Sequence, residues 1–203
     1  ATISQPLDWP GFGPQKNRAL DLATGEWVLS IDADERLTPA LKSEILTAIH
    51  HSAHVDCFAI PRLSWYCGRF IRHSGWSPDY VDRLFKRGTA RFSDDLVHER
   101  LIPTGQVAKL ENPMLHYSFM NYSQVLQKID RYSTASAEQA FAKGKISSPL
   151  KAVLHGFWAF FRTYVIRAGF LDGAQGFALA ISNGQGTYYR YIKLWHLNQD
   201  AGK

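Results

Sequence analysis

The sequence predicts an α/β fold with a mixed central sheet, continued by a helical C-terminal extension. Three observations carry that prediction. Trp27-Val28-Leu29-Ser30-Ile31 is a short apolar run with β-branched residues, preceded by Thr24-Gly25 and followed by Asp32-Ala33-Asp34-Glu35. That pattern reads as a buried strand between a helix end and a turn. Helix-like spacing over residues 15–23 and 38–49 then alternates with strand-like runs at 27–31, 55–65 and 81–87, which is the order of an α/β sheet with a mixed edge. Beyond residue 120 the chain changes to helical spacing, aromatic side chains and interleaved Lys and Arg. The expected division is therefore 1–120 for the α/β part and 121–203 for the extension.

The elements follow in order. Residues 6–14 form a loop rich in Gly and Pro, and Gln15, Lys16, Asn17 and Arg18 fall in the first turn of the helix after it. A helix start with unpaired N–H groups and two cations is a ready anion site, or simply a solvated turn. Thr38-Pro39 supplies an N-cap and a first-turn proline for the second helix, with Leu41, Ile45, Leu46 and Ile49 as its apolar stripe. His50, His51 and His54 suit the negative end of that helix better than a metal. Pro61 predicts that the strand containing it lies near an edge or a bulge. Short strands are expected at 107–110 and 114–118, a helix from Ser123 and a linker at 144–149. Gly169, Gly173 and Gly176 argue against one continuous helix over residues 150–191.

Composition bounds the function. With 203 residues, 45% hydrophobic and 20% charged, the chain is an ordinary globular protein, neither disordered nor integral to a membrane. Its net charge of +5 favours anionic partners such as nucleotides, phosphorylated glycans or an acidic lipid surface, and no basic block points to nucleic acid. Cys57 and Cys67 lack metal-site spacing and read as reduced thiols of a cytoplasmic protein, a single disulfide being the other reading. No stretch reads as a signal peptide or is long and apolar enough to span a bilayer. The chain opens on Ala1-Thr2-Ile3-Ser4 without Met, which reads as entry into the middle of a fold.

The chemistry concentrates at Asp32 and Asp34. In a strand, residues i and i+2 share a face, so the two carboxylates can converge just past the strand's end. Their repulsion is relieved by a hard cation carrying phosphates, although acidic residues also populate ordinary turns. A second ionisable patch runs over Asp94-Asp95-Leu96-Val97-His98-Glu99-Arg100. The aromatic and basic residues at 150–191 fit either a membrane interface or packing between helices.

Gly11-Phe12-Gly13-Pro14-Gln15-Lys16-Asn17, Ala23-Thr24-Gly25-Glu26-Trp27, Ile31-Asp32-Ala33-Asp34-Glu35, Val97-His98-Glu99, His116-Tyr117 and Gly169-Phe170-Leu171-Asp172-Gly173 occur in order over almost the whole chain. With them the chain resembles the family 2 inverting glycosyltransferases of the GT-A fold, a Rossmann-like architecture with a mixed central sheet. Within these it is most similar to the bacterial lipopolysaccharide core glucosyltransferases. Against that family the chain starts after the first strands and helices, which hold the nucleotide base and carry an early acidic residue on uracil.

The resemblance implies transfer of a hexose, glucose in the group it most resembles, from a UDP-sugar to an inner-core sugar with inversion, assisted by Mg2+ or Mn2+. It implies that Asp34 and Asp32 are the Asp-x-Asp pair, with His116 completing the metal or diphosphate site. Lys16, Gln15 and Arg18 would lie near the nucleotide. Glu99 would be the base, with Asp94 and Asp95 as alternatives, and Trp76, Asp79, Arg83 and His98 would shape the sugar or acceptor pocket. The implied location is the cytoplasmic face of the bacterial inner membrane, as a peripheral protein acting on a lipid-linked acceptor. Glycosyltransfer in capsule, exopolysaccharide or protein glycan synthesis, and a non-catalytic sugar-nucleotide-binding module, are the alternatives.

Overall fold

A computed structural model describes residues 3–51, 54–94 and 99–201; the roles read for Asp95 and His98 fall outside them. The chain forms two compact units, Ala1–Arg62 with Asp79–Leu115, and Leu63–Pro78 with His116–Lys203. The chain passes between the units three times, and the third passage, after Leu115, lies five residues before the boundary expected at residue 120. Residues 63–78, however, belong with the C-terminal helices, because Tyr66 and Ile71 bury in a cluster with Phe119, Val125 and Leu179, and Trp76 packs on it.

In the first unit, helix α1 (Phe12–Asp21) precedes strands β1 (Trp27–Leu29) and β2 (Glu35–Leu37), and α2 (Pro39–His51) follows. Strand β3 (Cys57–Tyr66) begins here, joined by β5 (Asp79–Lys86), β6 (Ala90–Phe92), β7 (Leu101–Pro103), β8 (Val107–Lys109) and the start of β9 (Met114–Phe119), with β4 (Arg69–Phe70) paired to the far end of β3. The main sheet runs β1-β5-β3-β9-β2, and β6 and β7 form a separate antiparallel ribbon. Strand β8 is parallel to β3 while β1 and β5 are antiparallel to their neighbours, so the sheet is mixed as expected.

Helix α2 starts where the sequence places it, with the Leu41 N–H donating to Thr38 Oγ1 (3.1 Å). Leu41 and Ile45 bury against Phe58, Ile60, Leu84 and Met114, and full burial of one such leucine stabilises by about 1.5–3 kcal/mol. Leu46 instead faces outward. Five positions rotate it roughly 140° from Leu41 at 3.6 residues per turn.

Two other expectations change. Strand β1 terminates the sheet and is only half-buried, so it is an edge strand rather than a buried one. Pro61 sits opposite Tyr80 in an interior strand rather than at an edge, and the bulge given as the other reading is present in that strand as the register shift between Phe58 and Ala59. Both cysteines are free, and burial, followed by the charges of Asp82 and Asp56, pushes the Cys57 thiol up to about 12. That thiol is a packing group, not a nucleophile.

In the second unit, α3 (Tyr122–Ala142) is capped by Asn121 and α4 (Pro149–Phe161) by Ser148. A π-helical turn, Arg162–Ile166, and a 3-10 turn, Gly169–Asp172, then break the chain before α5 (Gly173–Ala201), as the glycines predict. A Cβ on Gly176 would run into the Gly169 carbonyl. Asp172, fully buried, accepts the backbone N–H groups of Arg72 (3.0 Å) and His73 (2.8 Å), which ties residues 72–74 to this reversal.

Candidate active site

The expected convergence of Asp32 and Asp34 does not arise from strand alternation, because β1 ends at Leu29. Residues 32–35 form a turn. The Glu35 N–H donates to the Asp32 carbonyl (3.0 Å), and the Asp32 N–H donates to Glu35 Oε2 (2.9 Å). This reciprocal pair fixes the turn, with Asp32 half-buried and Asp34 exposed.

Helix α1 is set against the β6–β7 ribbon. Asn17 Nδ2 donates to the Phe92 carbonyl and Asn17 Oδ1 accepts the Phe92 N–H, both at 2.9 Å. Leu20 buries with Phe92 and Leu101. A Cβ on Gly13 would run into the Ser93 carbonyl, and Gly11 has φ 111°, where a side chain is strained. The two glycines of the Gly11-Phe12-Gly13 stretch therefore allow the close approach that aims Lys16.

Lys16 Nζ lies 3.0 Å from Asp32 Oδ1 and 3.3 Å from Glu99 Oε1, and 5.3 Å from the Phe92 ring centroid. Asp32 Oδ2 accepts from Arg83 Nη2 at 2.6 Å, and the same nitrogen donates to Glu35 Oε1 at 2.6 Å. Glu35 has no exposed side-chain surface, and Arg62 Nη1 stands 3.8 Å from its Oε1. Arg62 also pairs with Asp79 at 2.6 Å. The result is a ladder of alternating charge running from the surface pair Asp79–Arg62 through Glu35 and Arg83 to Asp32, Lys16 and Glu99.

Burial alone would raise the Asp32 carboxyl, but the Arg83 charge and the Lys16 and Arg83 hydrogen bonds outweigh it and hold the group below 3.8. Its contribution to stability is thus present above that value and is lost as pH falls through the lower folded-state value. Burial would likewise lower Arg83, and the charges of Glu35 and Asp32 raise it instead. Burial pushes Asp82, on the same cavity, upward.

Lys16, Asp32, Arg83 and Glu99 line one cavity of about 340 Å3 together with Arg62 and Arg100, within the range of small-molecule sites. Of the other expected residues, Arg18 turns to Asp8 (2.6 and 3.1 Å) and to Gln15 (3.3 Å), and neither Arg18 nor Gln15 lines the cavity. Asp79 reaches the cavity only through Arg62. Trp76 and His116 belong to the second unit, where His116 Nδ1 lies 3.1 Å from Ser64 Oγ and 3.3 Å from Ser118 Oγ. Asp94 is exposed beside the ribbon. Among the described residues no group of three or more His, Cys, Asp or Glu side chains gathers around a metal position.

Sequence reasoning gave no role to Glu35, Arg62, Asp82 or Arg100. The signal for Glu35 was present: it alternates with Leu37, so both point inward from β2.

The family model described as glycosyl transferase family 2 matches residues 2–103, which include Lys16, Asp32, Arg83 and Glu99. The chain belongs to glycosyl transferase family 2. Its mixed sheet agrees with the GT-A fold expected of that family, and membership makes the protein a glycosyltransferase, with a sugar-nucleotide donor and a glycan acceptor. The chain is also similar to an uncharacterised glycosyltransferase of Rickettsia prowazekii, 27% identical over 201 residues, covering 94% of this chain and 69% of that protein. It is similar to the lipopolysaccharide core biosynthesis glycosyltransferase LpsC of Rhizobium meliloti, 28% identical over 191 residues, covering 91% of this chain and 68% of that protein. For this family 2 glycosyltransferase, the cavity of the first unit is the candidate donor site.

Proposed function

We propose that the protein is an inverting glycosyltransferase that moves a hexose, glucose in the first instance, from a UDP-sugar to a lipopolysaccharide core sugar. The observation that supports this reading is the single cavity on which Lys16, Asp32, Arg83 and Glu99 meet inside the family match. The similarity to LpsC, named for lipopolysaccharide core biosynthesis, favours that acceptor class.

Each side chain has a part in the transfer. Asp32 has one oxygen on Lys16 and the other on Arg83, so we assign it to orienting these two cations toward the diphosphate. Asp34, exposed on the same turn, is assigned as the ligand of Mg2+ or Mn2+. A single carboxylate fits, because Mg2+ is commonly held by one or two carboxylates together with substrate phosphates. When bound, the cation supplies charge neutralisation for the leaving diphosphate. Glu99 takes the proton of the acceptor hydroxyl as its oxygen bonds to the anomeric carbon and the bond to the diphosphate breaks. Lys16, shared between Asp32 and Glu99 in this structure, turns to the diphosphate when the donor arrives and leaves Glu99 open to the acceptor. Titration of UDP with Mn2+ tests the metal assignment: Asp34→Ala is expected to abolish metal-dependent UDP binding, and unchanged titrations would refute it.

The second unit supports a membrane-surface location. Leu150, Val153, Leu154, Phe157, Trp158 and Phe161 form an exposed stripe on α4, while Ala152, Gly156 and Ala159 bury on the opposite side. Residues 149–171 contain Lys151, Arg162 and Arg167 and no acidic residue. An apolar face with basic flanks suits the cytoplasmic leaflet with its anionic lipids. Among the described residues no helix is long and apolar enough to cross a membrane, so the proposed association is peripheral. Charge reversal of Lys151 and Arg162 to Glu, both exposed, is expected to weaken binding to phosphatidylglycerol vesicles at least about tenfold at low salt, at about 1 kcal/mol per charge. Equal binding would leave the stripe without a membrane role.

A further inference from the structure

The second unit has a cavity of its own, about 360 Å3, which shares no lining residue with the donor cavity. Its base is aromatic. Tyr66 and Phe119 are buried there, and Trp76 packs edge-on to Tyr66 (5.7 Å between centroids) and tilted on Phe119 (6.0 Å). Tyr132 stands at the wall, 40% exposed.

The charge on this cavity has one sign. Lys128 and Arg190 line it, and among the described residues no carboxylate does. Lys128 Nζ lies 4.7 Å from the Phe119 centroid and 5.5 Å from that of Tyr132, so its ammonium is held over the aromatic base by attraction to the ring faces. Val125, Ile129 and Leu179 add aliphatic surface beside the aromatic base, and neutral polar groups share the wall with them: the hydroxyls of Ser136 and Thr187, and Asn183, whose amide nitrogen donates to Thr163 Oγ1 (3.2 Å).

A pyranose ring matches this set. Its C–H face suits aromatic rings, its hydroxyls pair with hydroxyl and amide groups, and two cations with no opposing carboxylate select a ligand that carries negative charge. A plain alkyl chain would desolvate the hydroxyl, amide and cationic groups without replacing their hydrogen bonds. We infer that this cavity binds an anionic saccharide, a hexose-sized ring bearing phosphate or carboxylate. The binding does not rest on the glycosyltransfer reading.

The test is titration of the whole protein with a hexose 6-phosphate in the presence of saturating UDP, followed by tryptophan fluorescence and by ligand-observed NMR. The hexose 6-phosphate is expected to bind, and glucose to bind at least about tenfold more weakly for want of the charged contacts. Lys128→Gln combined with Arg190→Gln is expected to weaken the hexose 6-phosphate about tenfold or more and to leave UDP binding unchanged. Both side chains are exposed, and an unchanged circular dichroism spectrum and thermal midpoint establish that the variant is folded. Unchanged affinity in that variant, or binding of decyl phosphate without binding of the hexose 6-phosphate, would overturn the inference. If the sugar phosphate binds but the Asp34→Ala titration contradicts the donor site, the cavity stands as a saccharide site and only the metal assignment of the donor site is lost. If UDP binds as proposed and the sugar phosphate does not, this inference alone is lost.

Discussion

Glu35→Ala is expected to destabilise the protein by about 3–5 kcal/mol, read as a lower denaturant midpoint in urea unfolding, because it removes one partner of a buried charge pair. The Glu35 side chain has no solvent-exposed surface and holds Arg83 at 2.6 Å. Arg83 is itself buried, 4% exposed, and its Nε has no hydrogen-bond partner among the described residues. Without Glu35 that guanidinium keeps only Asp32, and the Asp32 N–H loses the acceptor that closes the turn. A double replacement, Glu35→Met with Arg83→Met, removes both charges and fills much of their volume, so it is expected to regain most of the lost stability. It also removes a cation from Asp32, so UDP binding is expected to be weaker than in the parent protein even as stability returns. A loss below 1 kcal/mol in Glu35→Ala would show that the ladder has little energetic weight.

This ladder also marks the limit of what the sequence makes legible. Asp32, Lys16 and Glu99 stand out as residue types in motif-like settings, and they meet on one cavity. Helix α2 is legible because Thr38, its N-cap, is a local signal that precedes an apolar period, and α3 because helical spacing sets in at Ser123. Glu35 and Arg83 are not legible as a pair. They lie 48 positions apart, and nothing local marks them as partners until β2 and β5 are placed in one sheet.

Crossings of the chain between units are equally hidden. Trp76, Asp79 and Arg83 are near neighbours in sequence, and the family resemblance implies one pocket role for all three. Yet the chain passes from one unit to the other after Pro78, so Trp76 joins the aromatic cluster of Tyr66 and Phe119 while Arg83 joins the charge ladder. The turn at Asp32 is a third case. Periodicity describes a strand well but says nothing of where it stops, and here it stops at Leu29, ahead of the turn in which Asp32 and Glu35 bond each other.

Glu99→Gln is expected to reduce glycosyl transfer by a factor of about a hundred to ten thousand, the range for loss of a general base, while UDP binding stays close to that of the parent protein. Glutamine keeps the size of the side chain and an oxygen for Lys16 Nζ, which stands 3.3 Å from Glu99 Oε1, so the position of Lys16 relative to Asp32 is preserved. What glutamine lacks is a site for the acceptor's proton. A loss in kcat with KM for the donor unchanged would locate the defect in the transfer step rather than in binding. Lys16→Met provides the contrast. It removes the cation that faces the diphosphate and leaves the Glu99 carboxylate in place, so UDP affinity is expected to fall as well as transfer. If Glu99→Gln transfers sugar near the parent rate, the proton goes elsewhere. Asp82, half-buried on the same cavity with its carboxyl raised by burial, is then the first residue to replace. If instead Glu99→Gln loses UDP binding as Lys16→Met does, the carboxylate acts by holding Lys16 and not as the base.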